Sequence, residues 1–164
     1  MFFPALTAAQ PLKIPDQIER LAVKAKETVN VTLDGTLLQT ASQFLNSTDG
    51  DDRQVKSLIS KLKSIHVRSF EFANAGAYSE ADVAAYRSQL TSPTWSRIVD
   101  TLNREDGEHV EVFAKQENGQ VSGLAIIAAE PKELTIVSID GMINLAQLAS
   151  MGGQFGIPKF KPGK

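Results

Sequence analysis

The stretch Val121–Gly141, VSGLAIIAAEPKELTIVSIDG, constrains the fold of this chain more than any other. Two apolar runs are hinged at Glu130-Pro131-Lys132-Glu133. Runs that are apolar on both faces belong to strands in the middle of a sheet, since a strand with one wet face alternates apolar with polar. Pro131 presets the φ of a turn, so the two runs should close on each other as a hairpin. A second hairpin is expected just upstream, where Asn118-Gly119 separates His109–Gln116 from Gln120–Ala129. A two-residue type I′ turn needs positive φ at both positions, and Asn-Gly supplies it.

Around this pair the chain alternates. Ile18, Leu21, Ala22, Ala25 and Val29 recur at helical spacing, and Val29–Leu33 is β-prone before Asp34-Gly35. Leu37, Leu38, Ala41, Phe44 and Leu45 predict a second helix; Val55, Leu58, Ile59 and Leu62 predict a third after the polar loop Asn46–Asp52. Ile65–Phe72 reads as a strand whose apolar phase slips from Ile65 and Val67 to Phe70 and Phe72, as a bulge near Arg68-Ser69 would produce. Ser79 and Asp82 fit a capping box, Tyr78 and Val83 the staple around it, and Val83, Tyr86 and Leu90 the buried stripe of that helix. Arg97–Asn103 adds a strand, and Asn144 caps a short last helix through Leu148. The class is α+β: a mostly antiparallel sheet of about five strands with helices packed against it. The helix after Ile65–Phe72 would allow a parallel crossover to Arg97–Asn103.

At 164 residues a single domain is the default. Seventeen Lys and Arg against 19 Asp and Glu give a net charge of −2, so no overall field recruits nucleic acid. No transmembrane segment is expected, because no run reaches the roughly 18 to 20 apolar residues a crossing needs. The absence of cysteine removes disulfides, thiolate metal sites and a cysteine nucleophile. Met1–Gln10, MFFPALTAAQ, looks like the end of a signal peptide with Ala9 as the last residue removed, or else a disordered N-terminus. Residues 11–158 then form the domain, and 159–164 a basic flexible tail carrying Lys159, Lys161 and Lys164.

Reactive constellations are scarce. His66 and His109 lie in separate strands with no second ligand at useful spacing. Glu130 and Glu133 could pair for acid–base work, but a turn explains them equally. Asp49-Gly50-Asp51-Asp52 fails as a calcium loop, since Arg53 and Lys61 fall where ligands are needed; Asp51 fits a helix cap. No phosphate loop or nucleophile elbow occurs, and no cofactor, metal or catalytic residue is expected. The candidate binding residues are Arg68, Arg87, Trp95 and Arg97. Brought together, they would make an aromatic floor with cationic rims for an acidic group; kept apart, the tryptophan plugs the core and the arginines pair with Glu71, Asp82 or Asp100.

RSFEF (68–72), GAYSEADV (76–83), the run of Gln89, Leu90, Trp95 and Arg97–Val99, GLAIIAAEPKELTIVSIDG (123–141), VTLDGTLLQTASQFL (31–45) and QFGIP (154–158) together resemble a bacterial family of small proteins, domain of unknown function 4252. The resemblance spans about residues 12–158 and implies export in a Gram-negative bacterium; it carries no catalytic residues. No lipidation cysteine is present. The expected function is a non-enzymatic, periplasmic or secreted binding module for a protein or small ligand of the envelope. The alternative is a hydrolase using carboxylates such as Glu71 and Glu130.

Overall fold

The protein's structure, a computed structural model, describes residues 12–43 and 50–146. In chain order the elements are α1 (Asp16–Glu19), α2 (Leu21–Lys24), β1 (Glu27–Asp34), α3 (Gly35–Gln43), α4 (Gly50–Ser60), β2 (Leu62–Glu71), α5 (Glu80–Arg87), a 3₁₀ turn (Ser88–Leu90), β3 (Trp95–Asn103), β4 (Glu108–Glu117), β5 (Gln120–Glu130) and β6 (Glu133–Gly141). β5 and β6 form the expected hairpin, in register from Gly123 opposite Asp140 to Glu130 opposite Glu133. The β4–β5 turn has Asn118 at φ 54° and Gly119 at φ 75°, the positive pair that a type I′ turn demands.

The strands form one sheet in the order β1-β2-β6-β5-β4-β3, every neighbouring pair antiparallel. The count is six, not five. The added strand is β1, where the expected first helix stops at Lys24 and Val29 passes to the sheet. No parallel crossover pair forms either: β6, β5 and β4 lie between β2 and β3. The bulge expected near Arg68-Ser69 is also absent, since β2 keeps register with β6 from Ser64 to Glu71 and shifts only between Leu62 and Ser64. The phase slip has another cause. Ile65 packs on one face of the sheet and Phe70 and Phe72 on the other, so the strand is apolar on both sides.

Two buried clusters flank the sheet. On the first face, Ile18, Leu21, Val83, Tyr86 and Leu90 from the helical segments meet Phe70, Phe72, Phe113, Ala125, Ile127, Leu134 and Ile136. On the second, Leu38 and Leu58 from α3 and α4 meet Leu62, Val112, Ala114, Leu124, Ile126 and Ile143. Each large apolar side chain so buried contributes about 1.5–3 kcal/mol. Gly141 lets β6 leave the sheet beside Leu62: a Cβ there would lie 2.6 Å from the Leu62 Cα and 2.8 Å from the Lys61 carbonyl oxygen.

α5 begins as its sequence dictates, with the Ser79 N–H donating to Asp82 Oδ2 at 2.9 Å. Tyr78 does more than staple. Its ring stacks on Phe72 with centroids 5.5 Å apart, and its hydroxyl donates to the carbonyls of Glu130 and Glu133, tying the helix entry to the β5–β6 turn. The N-terminal signal segment, Phe44 and Leu45, Asp49, the side chains of Asp51 and Asp52, most of the last helix and the basic tail lie outside the described residues.

Candidate functional site

Two of the four candidate binding residues converge, on a residue that the sequence did not single out. Glu111, in β4, is 1% exposed. Arg87 from α5 donates to it from Nε at 3.0 and 3.2 Å and from Nη2 at 2.6 Å, and Arg97 from β3 adds Nη1 at 3.3 Å. Arg87 also holds Glu80 at 2.5 Å, and Arg97 holds Asp100 at 3.4 Å. Burial works against the Arg87 charge, but its hydrogen bonds to Glu111 and Glu80 outweigh that and raise its pKa. Trp95 packs against the first-face cluster, its Cη2 3.4 Å from where a Gly123 Cβ would be. Arg68 stays apart: it sits on β2, with β6 and β5 between it and β4, or about 14 Å at ordinary strand spacing. There it holds Glu19 at 2.7 Å and lies 5.5 Å over the Phe70 ring. Arg87 and Arg97 thus meet an acid that belongs to the chain itself.

His109 extends this network. Its Nε2 lies 2.7 Å from Asp100 Oδ1 and its Nδ1 3.8 Å from Glu111 Oε1. The histidine hydrogen bond, followed by the Arg97 charge, holds the Asp100 carboxyl below its ordinary range. Asp100, His109 and Glu111 bring ligand-type atoms within 4.8 Å of one another, a neighbourhood invisible in sequence spacing. Two guanidinium groups already claim the central carboxylate, so a metal ion would have to compete with both. The trio reads as part of an ionic lock. His66, on β2, is exposed.

The less expected feature is one end of the sheet. In the strand registers Glu27 stands opposite Glu71, Glu71 opposite Glu133, and Glu133 opposite Glu130. Glu108 precedes His109, which pairs with Ala129, so it continues the line on β4. Five glutamates from five adjacent strands therefore form a row across the sheet, all on the second face by strand alternation. Like charges directly opposite each other destabilise a sheet. At about 5 Å in water each such pair costs about 0.8 kcal/mol before salt screening. Lys26 offsets one of these charges, at 3.0 Å from Glu71. Partial burial, then the charges of Glu133, Glu108 and Asp106, push the Glu130 carboxyl above its ordinary value.

A cleft of about 300 Å³ opens at the same end, lined by Tyr78, Leu102, His109, Ala129, Glu130 and Pro131 among others. Tyr78, at its wall, has its pKa pushed up to about 12 by burial, then by Glu130 and Glu80. Glu71 and Glu130, the pair named for hydrolysis, sit two strands apart with Glu133 between them. The sequence suggests Glu130 paired with Glu133, and Glu71 with Glu130; only the register joins them with Glu27 and Glu108 in one row.

Among the described residues no helix is long and apolar enough to cross a membrane. No curated protein matches the chain, and no solved structure does. A family does: residues 22–151 match Domain of unknown function (DUF4252), and the chain belongs to that family.

Proposed function

We propose that the protein is an exported, non-enzymatic binding module of the bacterial cell envelope, and that the acidic end of its sheet receives a basic segment of a protein partner. The observation that carries this reading is the row of five glutamates, Glu27, Glu71, Glu133, Glu130 and Glu108. A fold keeps directly opposed like charges at a cost, and a ligand bearing lysines or arginines relieves that cost on binding. Across four strand gaps the row is about 19 Å wide, the length of about six extended residues. At the same end, on the first face, the cleft shares Glu130 with the row and is lined by Leu102, Ala129 and Pro131, which a segment turning over the β5–β6 hairpin could reach.

The test is fluorescence anisotropy with a labelled lysine-rich peptide. Saturable binding that weakens as salt rises is expected. The double variant Glu130→Gln/Glu133→Gln should weaken it about tenfold, or about 1.4 kcal/mol. Glu117→Gln, at the far end of β4, should not change it. Equal binding by all three proteins would reject the row as the site. Export is tested separately, by mass spectrometry of the mature N-terminus in periplasmic and cytoplasmic fractions.

A further inference from the structure

We infer that β1 is a self-pairing edge, joining β1 of a second copy antiparallel about a twofold axis at Asn30. This rests on different residues from the acidic row and stands independently of it. Among the described residues β1 has one neighbour, β2, and keeps unbroken register with it for eight residues, Glu27 to Asp34. No described strand pairs with its opposite side, which presents a line of backbone donors and acceptors. Edge strands are normally blunted by Lys, Pro, bulges or brevity. The other edge, β3, has such protection, with a register shift between Arg97 and Val99 and charges at Arg97 and Asp100. β1 contains no Lys, Arg or Pro, and Val29 and Val31 are 41% and 36% exposed.

The occupant follows from the order of side chains. Thr28-Val29-Asn30-Val31-Thr32 reads the same in both directions. Antiparallel pairing centred on Asn30 sets Val29 opposite Val31 of the second copy, Thr28 opposite Thr32, and Asn30 opposite Asn30. Like-with-like aliphatic and threonine pairs are favourable cross-strand neighbours. The same register sets Lys26 opposite Asp34 of the second copy, twice by symmetry, and the ammonium that holds Glu71 at 3.0 Å has two more donors for it. Asp34 uses Oδ1 to cap α3 through the Leu37 N–H at 3.1 Å, which leaves Oδ2 for that lysine. Centring the axis on Val29 or Val31 instead sets Lys26 opposite Thr32 or Thr36, and both ion pairs are lost. A self-complementary patch is what a twofold interface requires.

The chain has no cysteine, so single-cysteine variants report the register directly. Asn30→Cys brings two thiols to directly opposed positions and should form a disulfide-linked dimer under mild oxidation. Thr28→Cys and Thr32→Cys separate like residues by about 13 Å and should cross-link at least about tenfold more slowly. Sedimentation of the unaltered chain should show a concentration-dependent dimer, and Val31→Lys should return it to monomer with unchanged circular dichroism. Equal cross-linking at all three positions overturns the inference. So does a monomer at all concentrations, whether its β1 amides exchange freely or are protected by some other occupant.

Discussion

Replacing Arg87 with Met tests whether the lock around Glu111 is structural. The carboxylate is 1% exposed and would keep Arg97, at 3.3 Å, with the His109 ring at 3.8 Å. Removing one partner of a buried ion pair costs about 3–5 kcal/mol, because the remaining charge is left without solvent. Arg97 survives, and the released Glu80 is 66% exposed and finds water, so the low end applies, about 3 kcal/mol. In a domain of this size that lowers Tm by about 6–12 °C. The converse change is milder. Glu111→Gln leaves two guanidinium groups that are 23% and 49% exposed, and about 1 kcal/mol is expected. Arg87→Met combined with Glu111→Leu removes both charges and should recover most of the loss. Urea unfolding followed by circular dichroism, with m held constant, measures all three. A cost below about 1 kcal/mol for Arg87→Met, or a double variant no better than that single one, would refute the account.

Three further outcomes can be checked. Both tyrosines of the chain are shifted upward: Tyr78 to about 12 by burial, then Glu130 and Glu80, and Tyr86 by burial. The fold favours the neutral phenols, so this stabilisation is full below the ordinary pKa of 10.0 and is lost as the pH climbs towards 12. A phenolate-absorbance titration should show no step near 10 while the circular dichroism stays native; such a step contradicts the assignment. Glu130→Gln removes an ionised group that the fold disfavours, so it should stabilise by about 0.3 kcal/mol at neutral pH. That gain should vanish below the ordinary carboxylate range; calorimetry at both pH values that finds equal gains argues against crowding of charge. Gly141→Ala should cost about 2–3 kcal/mol because its Cβ meets backbone, whereas Gly119→Ala, at φ 75° with open space around it, should cost only about 1 kcal/mol. Equal losses in thermal melts would remove the steric explanation.

What could be read from the sequence was local. Asn118-Gly119 and Pro131 fix two hairpins within a few residues, and Ser79 with Asp82 fixes a helix start. Val29–Leu33 reads as β-prone, yet β1 escaped the strand count because Val29 also completes a helical spacing; what settles the matter is pairing with β2, where Glu27 meets Glu71 across 44 positions. Glu111 escaped for a related reason. In His109-Val110-Glu111-Val112 the glutamate alternates with valines, the pattern of a half-wet strand. It is buried because α5 covers that face and delivers Arg87, 24 positions earlier in the chain. The glutamate row is hidden in the same way, since each member looks like an ordinary strand terminus until the register aligns them.

The acidic row also bears on how two copies can meet. Glu27 begins β1, so the row reaches the edge that is proposed to pair. Two β1 strands laid parallel would place Glu27 beside Glu27 and extend one line of carboxylates across both sheets, adding repulsion at every screened spacing under about 10 Å. Antiparallel pairing about Asn30 instead sets Glu27 opposite Leu33 of the second copy and sends the two rows to opposite ends of the joined sheet. The two Glu27 positions then lie six residues apart along the strands, about 20 Å, more than two screening lengths at physiological salt. The charge that would forbid one arrangement is neutral to the other. Dimer strength should therefore depend on salt mainly through the Lys26–Asp34 pairs, weakening modestly as salt rises. A dimer that tightened steeply with salt would mean that the acidic ends had been brought together, and the antiparallel geometry would fail.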